Sequence, residues 1–256
     1  MSKLLLIDGD MIAYRSAASC EPTKKKPERE TLEQAIYRVK DLLYRIHDSC
    51  ASKESRIFIS GDRNFRKQLY PEYKANRDGM PRPVYLDACR SLLEREWNAE
   101  KCNGYEADDG IGMAHSEHTI IVSNDKDFRQ LEGEIFNPIK NGGQFEMVDS
   151  QEAAHTFYSQ LLEGDTSDNV RGIDGLGKVL SRRYLEGCTP EEMHSKVFCR
   201  YGNPERFFLN YRLLRILRTE EEWREVENQL SESKGPQVTT DCQGLDSESL
   251  STVDTP

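Results

Sequence analysis

Three short apolar runs, Lys3–Ile7, Arg56–Ser60 and Thr119–Val122, each stop at or just before an acid: Asp8, Asp62 and Asp125. Runs this short, bounded by turn residues, read as buried strands. Their hydrophobicity is continuous rather than alternating, as in parallel strands covered on both faces. Helical patterns separate them. Met11–Ala18 follows the first run, and Thr31 with Gln34 signals a capping box before a helix reaching about Cys50. That helix turns Ile36, Val39, Leu43 and Ile46 to one face. Val84–Trp97 is a further helix, and Lys101–Tyr105 a weaker strand that leads into Glu106. The alternation predicts an α/β fold: a central, mostly parallel sheet flanked by helices. The carboxyl ends of parallel strands share one edge, where sites in such sheets form. Acids placed there converge.

The rest of the chain adds a hairpin (Glu134–Asn137 with Phe145–Val148), a helix from Ser150 to Leu162, and helices at about Pro190–Tyr201, Pro204–Leu217 and Glu220–Ser231. The organisation expected is an α/β domain over residues 1–160, a helical region over 161–232 and a disordered tail over 233–256, where apolar residues are sparse. The 256 residues carry a net charge of −10, which argues against a protein that simply coats DNA. The seven scattered cysteines contain no CxxC and read as reduced packing residues of a cytoplasmic protein. No run approaches the length of a membrane span, and the start is too short for a signal peptide.

Further acids gather near the strand ends. Asp127 follows Asp125, and Asp108 and Asp109 follow Glu106. Asp165 and Asp168 are three apart, a spacing that a helical turn would place on one face. Nine carboxylates thus compete for one region: Asp8, Asp62, Glu106, Asp108, Asp109, Asp125, Asp127, Asp165 and Asp168. Each motif alone also fits a turn or a helix cap. Together they repel strongly unless a hard divalent cation is present, and an all-oxygen set selects Mg²⁺ or Mn²⁺ over zinc. Two such ions suit phosphodiester hydrolysis.

Two other stretches stand out. Residues 62–83 hold six Arg/Lys (63, 66, 67, 74, 77, 82), three acids and three prolines, too long for an ordinary connection. Taken alone this is a basic surface loop. Gly172 to Lys178 places three glycines in six residues before a helix carrying Lys178, Arg182 and Arg183. Such a turn suits backbone contact with phosphate, or is simply a Gly-rich link between helices.

The motifs LLLIDGD (4–10), Gly61-Asp62, PEYKANRD (71–78), YEADD (105–109), SNDKDF (123–128) and GDTSDN with GIDGLG (164–177) occur in the order of the flap endonuclease and 5′→3′ exonuclease family, which the chain resembles, in its phage type. The resemblance covers about residues 3–185. It implies a PIN-like nuclease domain with a helix-three-turn-helix duplex-binding module. It makes Asp8, Asp62, Glu106 and Asp108 a first metal group, Asp127, Asp165 and Asp168 a second, Asp125 a ligand near both, and Asp109 a ligand or its neighbour. Asp10 receives no role and is expected in solvent. Residues 63–83 match the arch that passes a single-stranded 5′ end, with Lys74 and Arg77 at the scissile phosphate, Tyr73 stacking on a base, and Arg63, Arg66 and Lys67 meeting DNA. Gly172, Gly175, Gly177, Lys178 and Arg182 match the duplex contact, where K⁺ sometimes assists.

The function expected is a free-standing, metal-dependent 5′→3′ exonuclease or flap endonuclease. Its substrate is DNA with a 5′ end, flap or nick, extending to RNA–DNA hybrids, in the cytoplasm of a bacterial host if phage-encoded. A PIN-like ribonuclease and an inactive DNA-junction binder are the alternatives.

Overall fold

Strands β1 (Leu4–Asp8), β2 (Ser55–Asn64), β3 (Glu100–Gly104) and β4 (Thr119–Val122) run parallel, joined by β5 (Gly133–Asn137) in the same direction and closed by antiparallel β6 (Gln144–Val148). The sheet order is β3-β2-β1-β4-β5-β6. Connections from β1 proceed one way and those from β4 the other, so the order reverses between β1 and β4, where a crevice opens at the carboxyl ends. The computed structural model describes residues 3–232, and the tail expected from residue 233 lies outside them.

Helices α1 (Gly9–Ala18), α2 (Leu32–Ser49) and α4 (Leu86–Trp97) cover one face. Thr31 and Gln34 form the reciprocal cap of α2, and Val39, Leu43 and Ile46 enter the core. Helix α5 (Ala107–Ala114) and the start of α6 (Ser150–Glu163) cover the other face through Ile111 and Ala153. Among the described residues, no helix is long and apolar enough to cross a membrane.

Strand β2 does not stop at Ser60. It bulges and re-pairs as far as Asn64 opposite Gly104. The backbones approach so closely in the bulge that a Cβ on Gly61 would lie 2.3 Å from the Cys102 carbonyl oxygen. Asp62 therefore sits within an edge pairing, not at a strand end.

The helical turn expected around Asp165 and Asp168 is instead a small hairpin, β7 (Gly164–Asp165) and β8 (Val170–Arg171). Asn169 (φ 59°) and Gly164 (φ 77°) supply its left-handed backbone positions. After it come α7 (Lys178–Tyr184), α8 (Pro190–Tyr201), α9 (Pro204–Leu214) and α10 (Glu220–Glu232). Phe157, Leu161 and Leu162 of α6 pack with Met193, Val197 and Phe207, so α6 joins the sheet to this second core. Helix α9 ends at Leu214 rather than Leu217. Side chains from elsewhere in the fold take the carbonyls of Leu213, Leu214 and Arg215, and the chain to α10 runs extended.

Within residues 63–83, the part up to Arg77 is pinned rather than loose. Helix α3 (Phe65–Leu69) is followed by a 3₁₀ turn at Ala75–Arg77.

Gly172 closes the hairpin. An added Cβ would lie 2.3 Å from both the Gly164 nitrogen and the Glu163 carbonyl carbon. Gly172→Ala should therefore destabilise the protein by about 1–3 kcal/mol through forced backbone movement. The measurement is the urea midpoint, and an unchanged midpoint would show that the hairpin yields freely.

Candidate active site

A cleft of about 290 Å³ opens at the carboxyl edge of the sheet and is lined by Asp8, Asp10, Glu106, Asp108, Asp125, Asp127 and Asp168, with Tyr73, Lys74 and Lys126. Local structure explains most placements. Asp8 ends β1 and caps α1, accepting the Met11 N–H at 2.9 Å. Its other oxygen accepts the Ser123 hydroxyl at 2.8 Å, and Ser123 Oγ accepts the Asp125 N–H at 3.1 Å. Asp125 in turn accepts the Asp127 N–H at 2.9 Å. One hydrogen-bonded chain thus links the ends of β1 and β4. Glu106 caps α5, which carries Asp108 in its first turn.

These acids crowd one another. Burial, with the neighbouring Asp10 and Asp125, pushes the Asp8 carboxyl up to about 7. Burial and Asp125 do the same to Asp127, up to about 7. Asp108 is held well above the usual range by burial and by Asp8, Asp125 and Glu106. Burial also raises Asp168. Glu106 and Asp165 go the other way. Burial disfavours their charge, but Lys74 and Arg66 outweigh it at Glu106, and the Ser167 hydrogen bonds with Lys126 outweigh it at Asp165. The cations are specific: Lys74 Nζ lies 2.5 Å from Glu106 Oε1 and 3.7 Å from Asp168, and Lys126 Nζ lies 3.6 Å from Asp165.

Among the described residues, no group of three or more His, Cys, Asp or Glu side chains is drawn together as a ready cation site. Lys74 and Lys126 bring positive charge among these acids. The donor set nevertheless fits a hard divalent ion: it is all oxygen, and several members are pushed above the usual carboxylate range by burial and by one another.

Residues 72–77 are fastened to the hairpin turn. The Lys74 N–H donates to the Asp168 carbonyl at 2.9 Å, and Lys74 itself holds a left-handed backbone (φ 58°). Asn76 donates to the Thr166 carbonyl at 2.8 Å, and Asn169 to the Glu72 carbonyl at 2.9 Å. Arg77 reaches the Ser167 carbonyl at 3.2 Å and Asp168 Oδ1 at 2.7 Å. An uncommon backbone state at a basic residue facing carboxylates is strain held in place by its surroundings.

Several expected site residues lie elsewhere. Asp62 is 89 % exposed and paired with Lys101 at 3.1 Å, outside the cleft, because the bulge of β2 turns it outward. Asp109 is fully buried against Arg66. Arg66 is buried with it and cannot meet DNA. Tyr73 is 1 % exposed and cannot stack on a base; its hydroxyl lies 3.0 Å from Glu106 Oε2 and 2.9 Å from Asp168 Oδ2. Gly172 is consumed by packing and presents no backbone to a duplex. Asp165 and Asp168 diverge: Asp165 faces Gln160, Ser167 and Lys126, whereas Asp168 faces Tyr73, Lys74 and Arg77.

Asp10, expected in solvent, lines the cleft. It accepts the Ser60 N–H at 2.8 Å and pairs with Arg90 at 2.6 Å. Its place two residues after a strand-end acid is the one signal of this. Ser60, Arg90, Ser123 and Gln130 gave none.

Away from the cleft, Gly175 (φ 81°) and Gly177 face open space, with no atom within 4 Å of an added Cβ. Lys178 beside them is exposed, and Arg182 is exposed and paired with Glu152 at 3.1 Å. Arg63 and Lys67 are also exposed.

Residues 3–158 match the family described as 5′-3′ exonuclease, N-terminal resolvase-like domain. The chain is 28 % identical over 194 residues to a 5′-3′ exonuclease of Buchnera aphidicola, a match covering 68 % of this chain and 66 % of that protein. It is 29 % identical over 194 residues to the flap endonuclease Xni of a Shewanella species, covering 69 % and 71 %. It is 27 % identical over 201 residues to DNA polymerase I of Chloroflexus aurantiacus, covering 68 % of this chain but only 21 % of that protein. The chain thus spans just under two thirds of the first of these and about a fifth of the polymerase. In fold it is similar to the bacteriophage T5 D15 protein co-crystallised with metal ions, with a TM-score of 0.61 at 17 % identity, covering 90 % of this chain and 97 % of that one. With the family match spanning more than half of its length, the chain belongs to the 5′–3′ exonuclease family through its N-terminal resolvase-like domain.

Proposed function

We propose that this protein is a metal-dependent 5′-nuclease that hydrolyses DNA from a 5′ end or at a flap junction. The observation that carries the proposal is the convergence of mutually repelling carboxylates, most of them half-buried, on one cleft, with Lys74 and Arg77 held at its mouth. Asp8, Glu106 and Asp108 would hold a first Mg²⁺ or Mn²⁺, and Asp127 and Asp165, which share Lys126, a second, with Asp125 between them; Asp168, which diverges from Asp165 and shares Tyr73 and Lys74 with Glu106, would lie on the side of the first. Bound there, the cations would supply Lewis acidity, neutralising phosphate charge and acidifying the attacking water. Asp62 and Asp109 have no part in this assignment.

The protein's own groups do the positioning. Lys74 and Arg77 now answer Glu106 and Asp168. Once those acids are satisfied by cations, the same ammonium and guanidinium groups are free to hold the scissile phosphate and stabilise its developing charge. The exposed turn at Gly175–Lys178 would take the duplex backbone. The T5 relative was solved with DNA and metal ions as a flap endonuclease, which is consistent with this reading. K⁺ at that turn and action on RNA–DNA hybrids rest on the family likeness alone.

The test is cleavage of labelled flap, nicked, blunt and RNA–DNA hybrid substrates in Mg²⁺ against EDTA. Cleavage of the 5′-ended DNA substrates, abolished by chelation, is expected. Undiminished cleavage after exhaustive chelation would overturn the metal mechanism. Cleavage of RNA alone would favour a ribonuclease, and binding without cleavage an inactive junction binder.

Lys74→Ala and Arg77→Ala should each slow single-turnover cleavage of a 5′ single-stranded substrate, Lys74→Ala by on the order of 100-fold. Equal rates in the parent and both variants would reduce residues 72–77 to a structural strap.

Binding and cutting should also separate. Asp168→Asn removes one charge with little change of shape. It should abolish most cleavage while leaving duplex affinity intact or raised, because a repulsive group near the phosphates is lost. Gly175→Val places a β-branched residue at φ 81° and obstructs backbone approach. Duplex affinity should fall and its salt dependence flatten. Titration of a nicked duplex in Ca²⁺ at several salt concentrations, beside single-turnover cleavage in Mg²⁺, checks both. Normal cutting by Asp168→Asn, or an unchanged salt slope for Gly175→Val, would show that no such division exists.

A further inference from the structure

Arg66 is 3 % exposed and Asp109 is 0 % exposed, and they pair through both guanidinium nitrogens at 2.6 and 2.8 Å. Each member also grips other segments. Asp109 Oδ2 accepts the Glu106 N–H at 3.0 Å, and Oδ1 accepts the Leu217 N–H at 3.0 Å. Arg66 Nε donates to the Leu213 carbonyl at 2.9 Å, and Nη2 to the Arg215 carbonyl at 2.7 Å. Arg66 Nη1 lies 3.7 Å from Glu106 Oε2. Buried Gln130 adds bonds to the Leu214 carbonyl at 3.1 Å and the Ile216 N–H at 2.9 Å.

Two consequences follow from the donor and acceptor inventory. Both oxygens of Asp109 already accept two hydrogen bonds, so the carboxylate has no lone pair left for a cation. Arg66 likewise has most of its five N–H groups committed inside the protein. Both groups are spent on partners within the protein, and both touch the residue that opens α5. The strap between α9 and α10 that they fasten supplies Leu213, Leu214 and Ile216 to the wall of the cleft.

A buried ion pair is a poor device for stability alone, since apolar side chains of similar volume often do as well. We infer that Arg66 and Asp109 are positioning residues for Glu106. They fix its backbone N–H and carboxylate relative to Asp8 and Asp108, and they couple that placement to the docking of the C-terminal helices. This inference rests on the cation-binding reading above. It assigns to a metal-site acid and a DNA-facing arginine of the sequence pattern a single internal task.

The experiment compares the parent with the double variant Arg66→Met plus Asp109→Leu. The exchange keeps net charge, so long-range attraction for cations is unaltered. Ca²⁺ affinity is measured calorimetrically without DNA, alongside the thermal midpoint. The double variant leaves the Glu106 and Leu217 N–H groups and the Leu213 and Arg215 carbonyls unpaired, so its midpoint should fall, and Ca²⁺ affinity is read at a temperature well below that midpoint. Its Ca²⁺ affinity should fall about 10- to 100-fold, as for loss of other groups that orient metal ligands. Arg66→Lys is the second variant. It keeps the charge opposite Asp109 but loses the fork, and should bind Ca²⁺ more tightly than the double variant and less tightly than the parent. If the double variant does not fold, Arg66→Lys carries the test by itself. Parental Ca²⁺ affinity in whichever variant folds overturns the positioning role. A parent that binds no Ca²⁺ overturns the cation reading itself, and the inference with it.

Discussion

Like-charge repulsion at the carboxyl edge of the sheet is the constraint on which the rest of this molecule depends. A parallel sheet delivers the ends of β1 and β4 side by side, and both ends carry acids. Asp8, Asp108 and Asp127 lie so close to other carboxylates, and are so shielded from water by the cleft walls, that their acidities are weakened. Everything around them moderates that repulsion. The α1 and α5 N-termini offer backbone N–H groups, Ser123 bridges Asp8 to the Asp125 backbone, and Lys74, Lys126 and Arg66 bring positive charge.

The same balance explains the state of residues 72–77. A basic, proline-flanked stretch in isolation would sample many conformations. Here Lys74 and Arg77 are drawn onto Glu106 and Asp168, and backbone bonds to residues 166–169 hold the stretch down. The carboxylates thus order the segment that would present positive charge to a phosphate. On the cation-binding reading proposed above, cations would compete with the basic residues for the same acids, which would link loading of the cleft to release of residues 72–77. Such linkage needs no large rearrangement, only a change of partners.

Much of this was legible in the chain itself. The parallel sheet, the hairpin of β5 and β6, the capped α2 and the α8 boundaries follow from hydrophobic period and capping residues, which act within a few neighbours. Convergence of Asp8, Glu106, Asp108, Asp125 and Asp127 follows from strand order and strand ends. What stayed illegible depended on partners distant in sequence. Asp62 sits after a short apolar run like Asp8 does, but the bulge of β2 against β3 turns it to Lys101. Asp10 looked idle because its partners, Ser60 and Arg90, are 50 and 80 residues away.

The sequence by itself determined the fold class and the charge of the site. Period, capping and the identity of strand-end residues are local properties, and a surplus of acids at one sheet edge demands positive charge whatever the details. Only the tertiary structure decided which acid does what. Asp108 and Asp109 are adjacent in sequence, but successive helical residues point about 100° apart. One faces the cleft and the other faces Arg66, a residue 43 positions away. Arg66 and Lys67 are likewise neighbours, and one is buried behind the site while the other faces solvent. Adjacent residues share a composition and a motif but not a direction, and direction is fixed by what packs against each face.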